Sequence, residues 1–283
     1  MLLDAVLGVL DEYADHLPLT ARQVYYRLVG TIGYDKTEAG YERLLNVLNR
    51  ARRAELVPFD AIRDDGTTAV IPGGFYGKPN FWSVVRLTAR RYRRVRLEGQ
   101  PVALEVWVEA AGMVPQIARV ANPYGVPVYS SGGFDSTTAK YEAAQRIIAN
   151  SEPTVVLHVG DHDPSGCAVF DSAADDVATM VADLARSASV EFVRVAVTPE
   201  QIVRYGLPEA PAKAADKRGT WQGGTVQAEA LAPGDLAAEV RQAVESRLDL
   251  DVLRNLEDEE RTERDQLLAN VDRVLAAEEE DSE

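Results

Sequence analysis

The stretch that most constrains this chain is TVVLHVGDHDPSG, residues 154–166. Its first half is rich in apolar, β-forming residues, a pattern that predicts a buried strand. Asp161 and Asp163 follow at once, among two glycines and a proline that predict a tight turn. Two carboxylates at the end of a buried strand indicate either a ligand site or a loop in which one aspartate caps a helix and the other is solvated.

The surrounding sequence decides which kind of sheet this strand joins. Strand-like runs alternate with helix-like runs between residues 102 and 197, which predicts an α/β domain with a mostly parallel sheet. In such sheets ligands bind where the strands end, and the first strand-like run ends at Glu109. Glu109, Asp161 and Asp163 are therefore expected at one rim, where three like charges repel unless a cation lies among them. Oxygen ligands at a sheet edge favour Mg²⁺.

The N-terminal region has a different pattern. Helices are predicted over residues 2–14, 19–30 and 38–57, and Asp65-Gly66 predicts a hairpin within 59–71. Three helices followed by a hairpin are typical of a winged-helix domain, whose third helix enters the major groove of DNA. Arg50, Arg52 and Arg53 would then meet phosphates or bases. The alternative is a small helical domain with a solvated basic face.

Charge is distributed unevenly along the chain. The net charge is −15, yet residues 1–100 carry 15 Lys and Arg against 12 Asp and Glu, and the remainder 15 against 33. A basic face can therefore coexist with an acidic whole. The acidic end is expected to be a helical or disordered tail. The single cysteine is typical of a reducing, cytoplasmic compartment, and no apolar run is long enough to predict a membrane span.

Three segments resemble one known family. A strand ending in Glu, followed by one ending in Asp-x-Asp-Pro-x-Gly, resembles a Toprim domain, in the form found in topoisomerase VI A subunits and the related meiotic double-strand-break transesterases. LTARQVYYRLVG (19–30) resembles that family's Thr-x-Arg-x-x-Tyr-Tyr segment, and residues 225–249 resemble its segment after Toprim, with a Glu-x-x-Ala-Leu-like motif at Glu229. The order agrees over residues 15–250. One departure is Ala110, where the family often has lysine.

The resemblance implies an N-terminal winged-helix domain (1–98), a Toprim-like parallel-sheet domain (99–250) and an acidic tail (251–283). It implies a transesterase in which Tyr26 attacks double-stranded DNA and forms a 5′-phosphotyrosyl bond. Arg22, one helical turn before Tyr26, would favour the phenolate and hold the phosphate, with Arg27 a second candidate for that phosphate. Glu109, Asp161 and Asp163 would bind Mg²⁺. A homodimer is also implied. No glycine-rich nucleotide loop is recognised, so any ATPase would be a separate subunit.

Other interpretations remain open. The protein is alternatively a Toprim nuclease that uses water, or a non-catalytic DNA-binding scaffold. Tyr25 and Tyr26 are alternatively packing residues of an amphipathic helix. The polar loop near residue 215 either contacts the DNA backbone, through Lys213, Lys217 and Arg218, or is a mobile solvated loop.

Overall fold

The computed structural model describes residues 2–63, 74–132, 136–211, 221 and 223–280, with side chains described as far as residue 277. The chain divides into two compact units. Unit 1 comprises Met1–Gly66 and Pro101–Arg247, and unit 2 comprises Thr67–Gln100 and Leu248–Glu283. The N-terminal helices and the sheet thus belong to one unit, although the sequence predicts a domain boundary at residue 98.

The described residues form helices and strands in the following order. The helices are α1 (Leu2–Glu12), α2 (Ala21–Ile32), α3 (Glu38–Arg53), α4 (Lys78–Arg90), α5 (Val114–Ala121), α6 (Thr137–Ile148), α7 (Pro164–Leu184), α8 (Pro199–Tyr205), α9 (Pro233–Glu245) and α10 (Leu250–Glu280). The strands are β1 (Leu19–Thr20), β2 (Ile62–Arg63), β3 (Ala103–Val108), β4 (Val128–Ser130), β5 (Thr154–Val159) and β6 (Val190–Ala196). Alternation of strand and helix after residue 102 confirms the predicted α/β class.

The main sheet has four strands in the order β4-β3-β5-β6, all parallel. Every residue of β5 is buried, as expected for a central strand covered by helices on both faces. One side of the sheet packs against α6 and α7, where a cluster of buried residues includes Trp107, Ile147, Phe170 and Val177. Because β3 and β5 run side by side in the same direction, their carboxyl ends meet at one edge.

Helix α2 begins as the sequence predicts and ends later. Thr20 is its N-cap, and Thr20 and Gln23 form a reciprocal capping box. The predicted end at Gly30 is wrong, since the helix continues to Ile32 and stops at Gly33, which adopts a left-handed conformation with φ of 65°. A buried hydrogen bond from Gln23 to Gln116 ties α2 to α5. This bond fixes the tyrosine-bearing helix to the sheet layer of the same unit.

The predicted hairpin is described in part. Residues 59–61 form a short 3-10 turn, and Ile62–Arg63 pairs in parallel with Leu19–Thr20. The rest of the predicted hairpin, including Asp65-Gly66, falls on 64–73 and lies outside the described residues. A winged-helix arrangement therefore stays a prediction.

In unit 2 the acidic end of the chain pairs with a basic segment. The acidic end is a helix, α10, as far as Glu280. Its carboxylates pair with the basic segment 86–96 in antiparallel order, through Arg86–Asp272 at 3.2 Å and Arg96–Glu257 at 2.8 Å. Arg96 also meets the buried Glu260 at 3.2 Å. Part of the basic segment 86–96 is thus neutralised within its own unit and not directed at an outside partner.

Among the described helices, none combines the length and the apolar character needed to cross a membrane.

Candidate functional site: an acidic pocket at the sheet edge

The carboxyl ends of β3 and β5 bring Glu109 and Asp161 together. Val108 and Val159 are the last paired residues of the two strands, and the backbone N–H of Asp161 donates to Glu109 Oε2 at 2.9 Å. Gly160 makes this approach possible, because a Cβ there would lie 2.6 Å from Glu109 Oε2. A side chain at this position would displace the glutamate.

Asp163 has the cap role that the sequence left open. Its Oδ1 accepts the N–H of Gly166 at 2.6 Å at the start of α7. It also remains near Glu109, since Asp163 Oδ1 and Glu109 Oε2 both lie within 3.3 Å of the point where a Cβ on Gly166 would be. The three predicted carboxylates therefore share one region of the sheet edge.

Glu109 and Asp161 border a cavity of about 430 Å³ between the sheet edge, α2 and α3. Glu109, Asp161 and Glu229 line it together with Arg22 and Tyr41. Arg22 is exposed, and its guanidinium carbon lies 5.6 Å from the centre of the Tyr41 ring. The cavity thus combines the buried Glu229 and the half-buried Glu109 and Asp161 with the exposed guanidinium of Arg22.

The carboxylates of the pocket are electrostatically strained. Burial raises the pKa of Glu109, and the negative charge of Asp161 raises it further. Burial also raises the pKa of Asp161. The largest change is at Glu229, where burial and then the charge of Asp161 raise the pKa to about 7. Additional positive charge in this pocket would relieve all three groups.

Tyr26 lies beside the pocket and is buried. Its Oη donates to Gln227 Oε1 at 2.5 Å, and Gln227 lines the pocket. Burial, followed by the charge of Glu229, raises the pKa of Tyr26 to about 12, although Arg22 opposes this shift. Tyr25 is buried too, but its hydroxyl faces other partners, the carbonyls of Asp35 and Thr37. The two tyrosines thus use different faces of α2.

The predicted DNA-contacting residues are distributed over several places. Arg27 donates to the carbonyl of Ala230 inside the protein. Arg52 donates to the carbonyl of Phe59 at 3.2 Å and stacks on that ring. Arg50 and Arg53 are exposed at the end of α3. The remaining three, Lys213, Lys217 and Arg218, lie outside the described residues.

The pocket fits the predicted Mg²⁺ in the chemistry of its donors but not in their convergence. Within the described part of the chain, no three His, Cys, Asp or Glu side chains converge closely enough to coordinate one ion. Instead, one oxygen of each predicted ligand accepts a backbone N–H. Glu109 accepts from Asp161, Asp161 from Ala228, and Asp163 from Gly166. The donor chemistry does fit Mg²⁺, which takes carboxylate oxygens. The raised pKa values of Glu109 and Asp161 also identify a place where added positive charge is favourable.

Two residues of the site are absent from the predicted site residues. Glu229 lies 68 residues after Asp161 in the chain, and its place in the motif resemblance was the one available signal. Arg194 on β6 donates to the carbonyls of Asp161 and Val197, and so ties the ends of β5 and β6 together. Nothing in the apolar, alternating sequence of β6 distinguishes this arginine from an outward-facing residue.

Comparison with known proteins adds no family to this description. No protein-family model, no curated protein and no solved structure matches the chain. Function must therefore be argued from the pocket itself.

Proposed function

We propose that the acidic pocket is a metal-dependent site that cleaves phosphodiester bonds of double-stranded DNA. The observation that carries the proposal is the grouping of Glu109, Asp161 and Glu229 with Arg22 around one cavity at the carboxyl edge of a parallel sheet. Carboxylates supply the ligands of a divalent cation, and the guanidinium supplies a donor for a phosphate. The resemblance to Toprim domains points to the same chemistry.

Each residue has a defined task in this proposal. Glu109, Asp161 and Asp163 would hold Mg²⁺, which when bound supplies positive charge for the phosphate and the leaving oxygen. Arg22 binds a non-bridging phosphate oxygen and orients the phosphodiester over the carboxylates. Tyr41 limits the movement of Arg22 by stacking against it.

The DNA would reach this pocket along α3. Tyr41 and Leu45, on the first half of that helix, line the cavity. Arg50 and Arg53 follow on its second half. Arg53, the more distant of the two, lies about 12 Å beyond Leu45 along the helix axis. A duplex held at the pocket therefore has a basic helix beside its backbone, and net negative charge elsewhere does not prevent this local contact.

Water is the nucleophile that the geometry favours. Tyr26 is 7% exposed, and its hydroxyl proton is directed at Gln227. Burial raises the pKa of Tyr26 to about 12, so its phenolate forms less readily than that of an exposed tyrosine. In hydrolysis a water oxygen bonds to phosphorus, the phosphorus–oxygen bond to the leaving strand breaks, and both new ends are free.

The tyrosine transesterase is the second candidate, and one observation favours it. Tyr26 is close enough to Asp161, Glu229 and Arg22 for each to change its pKa, so a small movement would bring it to the pocket. Its oxygen would bond to phosphorus as the phosphorus–O3′ bond breaks, and the 3′ oxygen would gain a proton as the phenol loses one, which leaves the protein on the 5′ end. The homodimer and a separate ATPase subunit belong to this candidate and stay predictions.

Replacing Tyr26 with phenylalanine distinguishes the two mechanisms. Hydrolysis predicts that Tyr26→Phe cleaves DNA within about threefold of the wild-type rate, at a stability cost of about 1 kcal/mol for the lost hydrogen bond. The reaction is quenched with detergent, and labelled DNA is examined for attachment to protein. Tyr25→Phe is the matched control. DNA label that is attached to the wild-type protein but not to Tyr26→Phe would favour the transesterase instead.

Replacing Arg22 with alanine tests the phosphate contact. We expect Arg22→Ala to weaken binding of duplex DNA of any sequence by about tenfold, and to reduce the slope of log Kd against log salt by about one. Fluorescence anisotropy at several salt concentrations gives both values. The control is Arg186→Ala, since Arg186 is exposed and follows the C-terminal end of α7. It is expected to change neither the Kd nor the salt slope. Equal effects of the two variants would remove Arg22 from the site.

A further inference from the structure

A second cavity adjoins the acidic pocket within unit 1. It has a volume of about 270 Å³, and it shares two of its lining residues, Ala21 and Leu45, with the pocket. Its other lining residues are Leu48, Asn49, Arg52, Phe59 and Ile62. The two cavities therefore meet at Ala21 and Leu45, and we refer to the second one as the Phe59 cavity.

The Phe59 cavity has a buried apolar floor and an exposed aromatic wall. Leu48 and Ile62 are each 3% exposed, whereas Phe59 is 62% exposed. An exposed phenyl ring keeps apolar surface in contact with water, and a ligand that covers the ring removes that surface from water. The cavity thus offers a flat apolar surface to a ligand.

Arg52 holds this aromatic wall in place. Its guanidinium carbon lies 4.8 Å from the centre of the Phe59 ring, and its Nη2 donates to the Phe59 carbonyl at 3.2 Å. The guanidinium covers one face of the ring, so the exposed surface belongs to the other face and the edge. A ring that is already fixed loses little conformational freedom when a second flat group stacks on it.

Asn49 adds a polar group to the same cavity. It is exposed on α3, one helical turn after Leu45 and about 6 Å further along the helix axis. Its amide carries donors and an acceptor side by side, the combination that pairs with the edge of a nucleobase. A flat ligand with a polar edge therefore matches both the ring of Phe59 and the amide of Asn49.

The neighbouring pocket identifies the source of such a ligand. Arg22, the proposed phosphate contact, lines the pocket next to Ala21, which lines both cavities. In a nucleotide one sugar separates the base from its phosphate, so two adjoining cavities can hold the two groups. A base that remains stacked in a duplex has no free face for Phe59, so only an unstacked base can enter.

We propose that the Phe59 cavity binds one unpaired nucleobase, that of a nucleotide next to the phosphodiester in the acidic pocket. This inference rests on the proposed function. It narrows the substrate from double-stranded DNA in general to DNA that has an unpaired base beside the bond to be cleaved. A bulged or mismatched base is released from its stack at less cost than a paired one, so such DNA is preferred.

Equilibrium binding of three labelled DNAs to the full-length chain tests the inference. The first is a paired duplex, the second has one extra unpaired adenosine, and the third has an abasic residue in place of that adenosine. The abasic DNA keeps the additional phosphate and lacks only the base. Fluorescence anisotropy is measured in EDTA, which prevents metal-dependent cleavage. We expect the wild type to bind the bulged adenosine about tenfold more tightly than the abasic residue, because one stacked base is gained.

Substitutions in the cavity assign this preference to its residues. Phe59→Ala should abolish the tenfold preference, whereas Phe59→Tyr keeps a ring and should retain it. Asn49→Ala should reduce the preference by about threefold, since one hydrogen bond is lost. Phe75→Ala is the matched control, because Phe75 is 58% exposed and does not line the cavity. Phe59 and Asn49 are both exposed, so the substitutions should leave the fold intact, which circular dichroism establishes.

The outcomes separate this inference from the proposed function. If the wild type binds bulged and abasic DNA equally while Arg22→Ala still weakens duplex binding, the base site is wrong and the phosphate site stands. If Phe59→Ala weakens binding of all three DNAs by the same factor, the ring contacts the DNA backbone and the base site is again wrong. If the wild type binds none of the three DNAs at any salt concentration, the proposed function and the inference both fail.

Discussion

Asp161→Asn is expected to lower the rate of metal-dependent DNA cleavage by about 10³-fold or more while leaving the fold intact. Asparagine has the same shape and keeps an oxygen that can accept the N–H of Ala228, so the turn at 227–230 stays in place. What is lost is one negative charge at the centre of the pocket. Single-turnover cleavage of a labelled duplex at saturating Mg²⁺ measures the effect.

Asp175→Asn is the matched control for this substitution. Asp175 is exposed on α7, which begins at the pocket, and the same chemical change there is expected to leave the cleavage rate unaltered. A cleavage rate in Asp161→Asn within threefold of the wild type would show that the pocket does not carry the reaction.

Stability is expected to fall as pH rises, because Glu229 is buried. Its pKa is about 7 in the folded protein against an ordinary value of 4.5. A raised pKa means that the folded state binds the proton more tightly than the unfolded state, so stability is lost between about pH 4.5 and 7 and is constant above. A shift of this size corresponds to roughly 3 kcal/mol. Glu229→Gln cannot titrate and should not show this loss.

Chemical denaturation in EDTA at pH 5 and pH 8 gives the comparison. The free energy of unfolding should decrease more from pH 5 to pH 8 for the wild type than for Glu229→Gln. At pH 8, Mg²⁺ should reduce the resulting difference in free energy of unfolding between the two proteins. Glu142→Gln, a change at an exposed glutamate on α6, should follow the wild type. Parallel pH dependence of wild type and Glu229→Gln would mean that Glu229 has an ordinary pKa and is not strained in the pocket.

The sheet could be predicted from the sequence because its signals are local. The β-forming run Thr154–Val159 is bounded by a polar segment and by Gly160, and the helices between strands have clear apolar periodicity. Parallel order then places Glu109 and Asp161 at the same edge without any knowledge of packing. The predicted end of α2 is wrong because Gly30 and Gly33 are both residues that can end a helix. The tertiary structure selects Gly33.

The remainder of the site depends on contacts between distant segments. Glu229 reaches the pocket because Asp161, Tyr26 and Arg27 hold its turn, and none of these bonds has a sequence signal of its own. The pairing of α10 with residues 86–96 is of the same kind. A basic first third and an acidic end predict a basic face and a helical or disordered tail, whereas Arg86 and Arg96 pair with Asp272, Glu257 and Glu260.

Cleavage of supercoiled plasmid by the purified wild-type chain tests the central claim most directly. Protein and plasmid are incubated with MgCl₂ or with EDTA, digested with protease, and separated by electrophoresis beside an Asp161→Asn preparation. Nicked or linear DNA is expected only with the wild type in MgCl₂, and intact plasmid with EDTA or with the variant. Intact plasmid at every Mg²⁺ and Mn²⁺ concentration, or equal cleavage by wild type and Asp161→Asn, would contradict the claim.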